Sequence, residues 1–274
     1  MSMRRGFMVS FAWMMMAAAT SLAGDKAPGL TAADVIARHL ESIGTAEARA
    51  AAGGRAVKGP VKYVRKPVRS EESDLFAGRP TSLVAPLTVA SGGPRYLIAV
   101  EYGWKDYPLD RIVYDGKKVK NARMLSPGNY TVLAGLLNDN QYLLKAGLLG
   151  GPLTTAWALL APDDRFEKLE YAGIKKAAGQ QAHRLDARLK SDPEHEIFFF
   201  FDLETFRLVR TEVWIGPNAR RKFEEDFADY KTVHGLSLPH SWTMALDAPE
   251  DTWKLTVEEV VVASELPAEA FASE

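Results

Sequence analysis

The sequence has no cysteine among its 274 residues. This absence excludes disulfide cross-links, thiolate zinc sites and cysteine nucleophiles together. It also excludes an export signal of the lipoprotein type, because such a signal needs a cysteine to carry the lipid at the cleavage point. A chain of this length can bury a sufficient core without cross-links, so we expect a soluble protein once any export signal is removed.

An excess of charge of either sign is also missing, with 34 Lys and Arg residues against 35 Asp and Glu residues. Removal of residues 1–23 would delete Arg4 and Arg5 and no acid, so the remaining balance would be 32 minus 35, or −3. Residues 62–69 group four cations, whereas a nucleic-acid groove needs a much larger positive field. We therefore expect no nucleic-acid partner.

Recognisable catalytic and metal-binding motifs are absent from the sequence as well. The five histidines include no pair four residues apart beside a glutamate, which a helical zinc site requires, and His234 and His240 are separated by a stretch typical of a loop. The sequence has neither a Gly-x-Ser-x-Gly elbow nor a phosphate-binding Gly-x-x-x-x-Gly-Lys loop. We therefore expect no catalytic residues, no metal and no cofactor.

Acidic residues are numerous, but they occur as adjacent runs such as Glu224-Glu225-Asp226 and Glu258-Glu259. Acid–base catalysis needs two carboxyl groups across a cleft with separated pKa values, whereas adjacent residues of a strand point to opposite faces. We interpret these runs as parts of a solvated surface.

The N-terminus has the three parts of a secretory signal peptide. A basic start at Arg4 and Arg5 is followed by an apolar run over residues 7–19 and by small residues up to Gly24. The apolar run is shorter than the roughly 20 residues that a membrane-spanning helix needs. We predict cleavage near Ala23 and a single exported domain over residues 24–274. An uncleaved helix on the membrane surface is the alternative.

The first regular element after this signal is predicted to be an amphipathic helix. Thr31 and Asp34 have the spacing of a capping box, in which two side chains satisfy free amides at a helix start. Buried-type side chains then recur at intervals of three and four residues, and Gly44 can end the helix; they are Val35, Ile36, His39, Leu40 and Ile43. A shorter alanine-rich helix is predicted over residues 45–52.

From about Ala56 the apolar period becomes that of β-strands. Asp115-Gly116 predicts a hairpin, since this pair tolerates the positive φ of a tight turn. A second hairpin is predicted around residues 202–205, and its first arm, Ile197–Phe201, is apolar on both faces. We count about ten strands in hairpin order without βαβ alternation. This predicts a mainly β (α+β) chain with a curved antiparallel sheet or incomplete β-barrel.

Residues 126–162 differ from the chain around them and are called the insert below. Leucine-rich stretches at residues 130–137 and 142–149, followed by a short piece with Trp157, predict two or three short helices. With the first helix, they would cover the concave face of the sheet and enclose an apolar cavity. Candidate ligand-binding residues are Leu136, Leu137, Leu143, Leu144, Leu148, Trp157, Phe198 and Phe200. Core packing explains each of them taken alone; their collective excess favours a binding cleft.

Residues 227–239, with the sequence FADYKTVHGLSLP, resemble a strand–turn–strand unit of the LolA/LolB-like superfamily of outer-membrane lipoprotein-sorting proteins and their relatives. The hairpin that contains Asp202-Leu203-Glu204-Thr205 is similar to the preceding hairpin of the same group. The resemblance implies an unclosed antiparallel sheet with helices as a lid, and an apolar cavity that shelters acyl chains in transit. The insert departs from the family pattern, and no binding residue is carried over.

The leading hypothesis is a periplasmic carrier or binding protein for lipid or lipoprotein acyl chains, acting as a monomer without catalysis. Burial of an acyl chain gains roughly 0.8 kcal/mol per methylene, so no charged anchor is required. Two alternatives stay open. One is an envelope protein-interaction or sensory module that presents the insert as an apolar patch to an envelope membrane protein. The other is an exported hydrolase.

Overall fold

The computed structural model of the chain describes residues 29–65, 82–103, 109–121, 131–215, 221–247 and 251–272. The signal peptide predicted for residues 1–23 and the first part of the insert, residues 126–130, lie outside these ranges. Within the ranges, no helix is both long enough and apolar enough to cross a membrane.

Thirteen strands form one sheet that makes up most of the described chain. They are β1 Gly54–Arg65, β2 Ser82–Gly92, β3 Arg95–Glu101, β4 Leu109–Tyr114, β5 Val119–Asn121, β6 Phe166–Ala177, β7 Gln180–Leu189, β8 Glu196–Asp202, β9 Leu208–Ile215, β10 Arg221–Val233, β11 Leu236–Leu246, β12 Asp251–Thr256 and β13 Glu259–Ala263.

The strands lie across the sheet in the order β5-β4-β3-β2-β1-β12-β11-β10-β9-β8-β7-β6, and β13 pairs with β1 beside β12. Every pairing is antiparallel. β5 and β6 are the two edges, and the described residues form no pairing between them. The antiparallel, unclosed sheet that the sequence predicted is therefore confirmed.

The chain has more strands than the predicted ten, partly because the last ladder is broken. Residues 253–262 have the pattern of one strand, but the ladder divides into β12 and β13 where the backbone N–H of Glu258 donates to the carbonyl of Lys58. Gly59 of β1 lies at this break, and a Cβ atom there would be 1.9 Å from the carbonyl oxygen of Thr256. The close approach of the two backbones therefore requires glycine.

Two helices, α1 Ala32–Ile43 and α2 Ala46–Ala51, precede the sheet. The predicted capping box is present. The N–H of Thr31 donates to the Asp34 carboxylate over 2.9 Å, and the N–H of Asp34 donates to the Thr31 hydroxyl over 3.2 Å. The residues that α1 buries are Val35, Ile36, His39 and Ile43. The helix thus lies on the sheet with the face that the sequence pattern indicated.

The hairpin at Asp115-Gly116 is confirmed, but its loop is longer than a two-residue turn. β4 and β5 pair through Tyr114 and Val119, so four residues form the loop. Asp115 Oδ1 accepts hydrogen bonds from the backbone N–H groups of Lys117 and Lys118, each over 2.9 Å. This side-chain capping stabilises the longer loop.

The other predicted hairpins are confirmed with similar local causes. After β8, Asp202 Oδ1 accepts hydrogen bonds from the backbone N–H groups of Glu204 and Thr205. β10 and β11 are joined by the two-residue turn His234-Gly235, whose φ angles are +49° and +77°. Two positive φ values in succession are the signature of a type I′ turn, whose twist matches that of the flanking strands.

The insert, described from Thr131 onward, forms short helical pieces as predicted. These are α3 Val132–Asp139, α4 Tyr142–Lys145 and single 3₁₀ turns at Gly151–Leu153 and Ala158–Leu160, followed by α5 Pro162–Arg165. The insert lies between β5 and β6 in the chain, and these strands are the opposite edges of the sheet. Its path must therefore cross the sheet from one edge to the other.

The two faces of the sheet bury different clusters of side chains. α1 and the insert share the main hydrophobic core with one face, called the inner face below. The outer face carries a small cluster around Leu266 and Phe271, which come from the end of the chain, and another around Phe200 and Val209. The insert is thus part of the core on the inner face.

Candidate functional site

Six of the eight candidate ligand-binding residues come together on the inner face. They are Leu136, Leu137, Leu143, Leu144, Leu148 and Trp157, all members of the main core. The exposed fraction of each is at most 5%, so other protein atoms surround these side chains. The insert itself fills the inner face of the sheet.

Phe198 and Phe200 lie on the outer face, because consecutive side chains of a strand alternate between faces. Phe200 belongs to a small outer cluster, and Phe198 packs against that cluster. Phe199 and Phe201 belong to the main core, and the ring of Phe199 meets the ring of Trp157 edge-on with 5.4 Å between centroids. The strand aromatics that face the insert are therefore the neighbours of the two that the sequence singled out.

Glu225 on β10 joins the middle of the insert to the sheet. Its Oε1 accepts hydrogen bonds from the backbone N–H of Gly150 over 2.8 Å and from the indole N–H of Trp242 over 3.0 Å. Glu225 is 0% exposed and Glu224 is 5% exposed, so the interpretation of residues 224–226 as solvated surface is wrong for these two carboxyl groups. Nothing in the sequence around Glu225 indicates that the backbone N–H of a distant residue, Gly150, requires an acceptor there.

The curl of the sheet is evident around Gly150. A Cβ atom on Gly150 would lie 3.3 Å from the hydroxyl oxygen of Tyr96 on β3, while the Gly150 N–H bonds to Glu225 on β10. β3 and β10 are five places apart in the strand order, which in a flat sheet would separate them by roughly 24 Å. Because one residue contacts both strands, the sheet curls strongly around the insert.

Arg55 and Ser91, which pair across β1 and β2, hold the next residues of the insert. Arg55 Nη1 donates to the carbonyl of Pro152 over 2.7 Å, and the Ser91 hydroxyl accepts from the N–H of Thr155 over 2.9 Å. Burial lowers the pKa of Arg55 to about 10, which leaves the guanidinium charged at neutral pH. Side chains of the sheet thus satisfy the backbone of the insert.

His39 connects α1, the insert and the loop after β8. Its Nε2 accepts from the indole N–H of Trp157 over 3.1 Å, and its Nδ1 lies 3.0 Å from the carbonyl oxygen of Phe206. Because an indole N–H only donates, the proton of the neutral imidazole is on Nδ1 and is donated to Phe206. Burial lowers the pKa of His39 to about 4. The helical pattern predicted that His39 is buried but not its distant partners.

Two further buried groups of the site, Glu225 and Tyr96, are neutral at neutral pH. Burial raises the pKa of Glu225 to about 8, and the hydrogen bonds from Gly150 and Trp242 offset only part of this effect. Burial also raises the pKa of the Tyr96 hydroxyl well above its usual range. Within the described ranges, no group of three or more His, Asp or Glu side chains could hold a metal ion. The inner face therefore offers apolar contacts and a few hydrogen-bonding groups.

No family model matches the chain, and no curated protein sequence matches it. Solved structures match over most of its length. A LolA superfamily protein from Nitrosomonas europaea superposes with a TM-score of 0.55 at 11% identity, covering 89% of this chain and 98% of that one. A DUF1329 family protein from Desulfovibrio piger superposes with a TM-score of 0.52 at 10% identity, covering 88% and 97%. The chain therefore has the LolA-like fold that the resemblance of residues 202–239 predicted.

Proposed function

We propose that this protein is an exported, non-catalytic carrier that binds the acyl chain of a lipid or lipoprotein on the inner face of its sheet. One observation carries the proposal: the insert, which crosses an unclosed sheet from edge to edge, covers the inner face with leucines. Such an arrangement offers a largely apolar surface beneath a cover that the chain connects to the sheet at its two ends and that a few hydrogen bonds hold in between. The LolA-like fold supports this reading.

An acyl chain would take the place of insert side chains that fill the inner face. We propose that the displaced side chains are those of Leu136, Leu137, Leu143, Leu144, Leu148 and Trp157. Full burial of a leucine is worth roughly 2 kcal/mol, so five leucines amount to about 10 kcal/mol. A chain of about 14 carbons gains on the order of 10 kcal/mol on burial before ordering costs. The two amounts are of the same order before Trp157 is counted, so net binding requires that displaced side chains pack against the acyl chain instead of entering water.

The proposed movement requires pivots within the insert, and we assign them to two glycines. Gly147 and Gly150 adopt φ angles of +71° and +80°, a region that glycine enters without strain. A Cβ atom on Gly147 would lie 1.7 Å from the carbonyl oxygen of Ala156. These positions separate α4 from the rest of the insert, so α3 and α4 can move as a unit.

The alternative in which the insert is an apolar patch for an envelope protein has less support. Leu160, 36% exposed, is the large apolar side chain of the insert that reaches the surface, whereas the other leucines in its described part are buried. A docking patch needs a contiguous exposed apolar area of a few hundred Å². The insert therefore fits a cover better than a presented patch.

Acyl binding can be tested with a matched pair of variants on one strand. Phe199 and Phe200 are adjacent, 0% and 4% exposed, and point to opposite faces. We expect the wild-type protein to bind dodecanoyl probes saturably. Native mass spectrometry and displacement of a fluorescent probe would measure this binding. Phe199→Leu should weaken this binding about fourfold, from the lost apolar contact, and Phe200→Leu should leave it unchanged.

Hydrogen exchange adds a second readout to the same experiment. Bound probe should increase exchange in α3 and α4, which are displaced, and leave β10 and β11 unaffected. Absence of any acyl binding by the wild-type protein would refute the proposal. Equal effects of the Phe199 and Phe200 variants would refute the placement of the ligand on the inner face.

A further inference from the structure

Buried polar atoms without a partner concentrate beneath one short segment of the insert, residues 150–155. Among the described residues, eight buried side-chain nitrogen or oxygen atoms have no hydrogen-bond partner. Four of them belong to strands that contact this segment, and Thr155 Oγ1 belongs to the segment itself; the four are Arg55 Nε, Tyr96 Oη, Thr211 Oγ1 and Glu225 Oε2. A native protein leaves few such atoms unpaired, and a cluster of them calls for a specific explanation.

The strand pairings explain why these atoms meet. Arg55, Ser91 and Tyr96 form one row across β1, β2 and β3, because Arg55 pairs with Ser91 and Ser91 pairs with Tyr96. Glu225 pairs with Thr211 across β10 and β9. The curl of the sheet brings these two rows to opposite sides of the 150–155 segment, where Gly150 contacts both.

The backbone of the segment uses the polar groups of both rows. The N–H of Gly150 donates to Glu225, and the N–H of Thr155 donates to Ser91. The carbonyl of Pro152 accepts from Arg55. The two rows therefore accept from amide N–H groups and donate to an amide carbonyl. A peptide group has one such donor and one such acceptor, so the two rows can satisfy both of its polar atoms.

We propose that the inner face beneath residues 150–155 is a binding site for a secondary amide at the polar end of an acyl chain, which replaces the backbone of this segment. The proposal rests on the proposed function and names its ligand class. The amide N–H would donate to Glu225 Oε1 in place of Gly150. The amide carbonyl would accept from the Tyr96 hydroxyl, which lies beside Gly150 and has no partner.

The chemistry of the site selects against the other common acyl derivatives. An ester has no N–H, so it would leave Glu225 Oε1 without the donor that Gly150 supplies. An ionised fatty acid has no N–H group either, so it would also leave Glu225 Oε1 without the donor that Gly150 supplies.

The test compares N-methyldodecanamide with methyl dodecanoate. The two probes are identical except that an ester oxygen in the second replaces the amide N–H group of the first. We expect the wild-type protein to bind the amide about fivefold more tightly, as one net hydrogen bond provides. Glu225→Gln should keep this preference, because it retains the acceptor oxygen. Glu225→Leu should abolish the preference and still bind the ester.

A second variant keeps the test valid if Glu225→Leu does not fold. Tyr96→Phe removes a buried hydroxyl that has no partner, so it should not lower the melting temperature. It should nevertheless weaken binding of both probes, because each has a carbonyl that accepts from Tyr96, and weaken binding of the amide at least twofold more, because an amide carbonyl is the stronger acceptor. Tyr114→Phe, which removes a hydroxyl that donates to Gly116 in the β4–β5 loop, is the matched control and should leave the preference intact.

The outcomes separate the two proposals. If both probes bind with equal affinity, acyl binding stands and the amide site is refuted. If neither probe binds, both proposals are refuted. Dodecanoylglycinamide and N-dodecanoylethanolamine, compared in the same assay, then distinguish the source of the amide, since tighter binding of the first indicates an acylated peptide and tighter binding of the second an amide-linked lipid.

Discussion

Individual residues of the site have roles that depend on partners far away in the chain. Glu225 lies in an acidic run and His39 in a helical pattern, yet the structure buries both and joins each to the insert. Their partners, Gly150 and Trp157, are 75 and 118 residues away. A sequence pattern records the period of burial but not which distant group faces a buried polar atom, so the sequence could not identify these contacts.

Glu225 also predicts how the stability of the protein changes with pH. Its pKa is about 8 in the folded protein and 4.5 in the unfolded chain, so between these values only the folded state holds the proton. The contribution of protonated Glu225 to the free energy of unfolding is fully present below pH 4.5. It decreases as pH rises to 8, by up to about 1.4 kcal/mol per pH unit. We expect Glu225→Gln to remove this slope.

The measurement is urea unfolding of both proteins between pH 5 and pH 8. The free energy of unfolding of Glu225→Gln should increase relative to that of the wild-type protein as pH rises. The lowered pKa of His39 acts in the opposite direction but is common to both proteins and cancels. Glu265→Gln, at a side chain that is 79% exposed, is the control. Parallel pH profiles of wild type and Glu225→Gln would contradict the assignment.

At the scale of elements, the features that depend on neighbouring residues were predictable. The capping box of α1 and the three hairpins follow from side chains within four residues of each turn or helix start. The lengths of β5 and β12 could not be predicted, because each depends on where a neighbouring strand stops pairing. Phe198 and Phe200 show the same limit, since alternation defines two faces without saying which one the insert covers.

The β10–β11 turn gives a prediction for a single element. His234 is exposed and has a φ of +49°, and Gly235 has a φ of +77°. Asn-Gly is the preferred pair for this turn type, so His234→Asn should stabilise the protein by about 0.5 kcal/mol. Gly235→Ala should destabilise it by about 1–2 kcal/mol, because a Cβ atom disfavours the left-handed region. Thermal unfolding measures both, and changes of the same sign would contradict the turn assignment.

At the scale of the whole molecule, the sequence predicted a curved antiparallel sheet but not what closes its outer face. Leu266 and Phe271 pack there against Leu97 and Val113 of β3 and β4. Arg95 lies over the Phe271 ring with its Cζ atom 4.6 Å from the centroid. A short segment near the chain end has no period of its own, so only the three-dimensional structure reveals this contact.

Removal of the Phe271 ring should therefore affect the molecule as a whole. We expect Phe271→Ala to lower the free energy of unfolding by about 2–4 kcal/mol, because the ring is 6% exposed and leaves a gap over the outer face. The uncovered apolar patch should also promote self-association, which light scattering after size-exclusion chromatography would detect. Val84→Ala, at a side chain that is 67% exposed, should change stability by less than about 0.5 kcal/mol.

The seam between β1 and β12 has a consequence for how the protein is made. Val61 pairs with Leu255, and almost all of the other strands lie between these two residues in the sequence. Their contact therefore closes a very long loop, which carries a large entropy cost. A chain that is synthesised from its N-terminus can assemble the β1–β5 and β6–β12 meanders before this seam forms. Until this seam closes, the facing edges of β1 and β12 remain unpaired, and crowded nascent molecules would pair with each other there as swapped dimers.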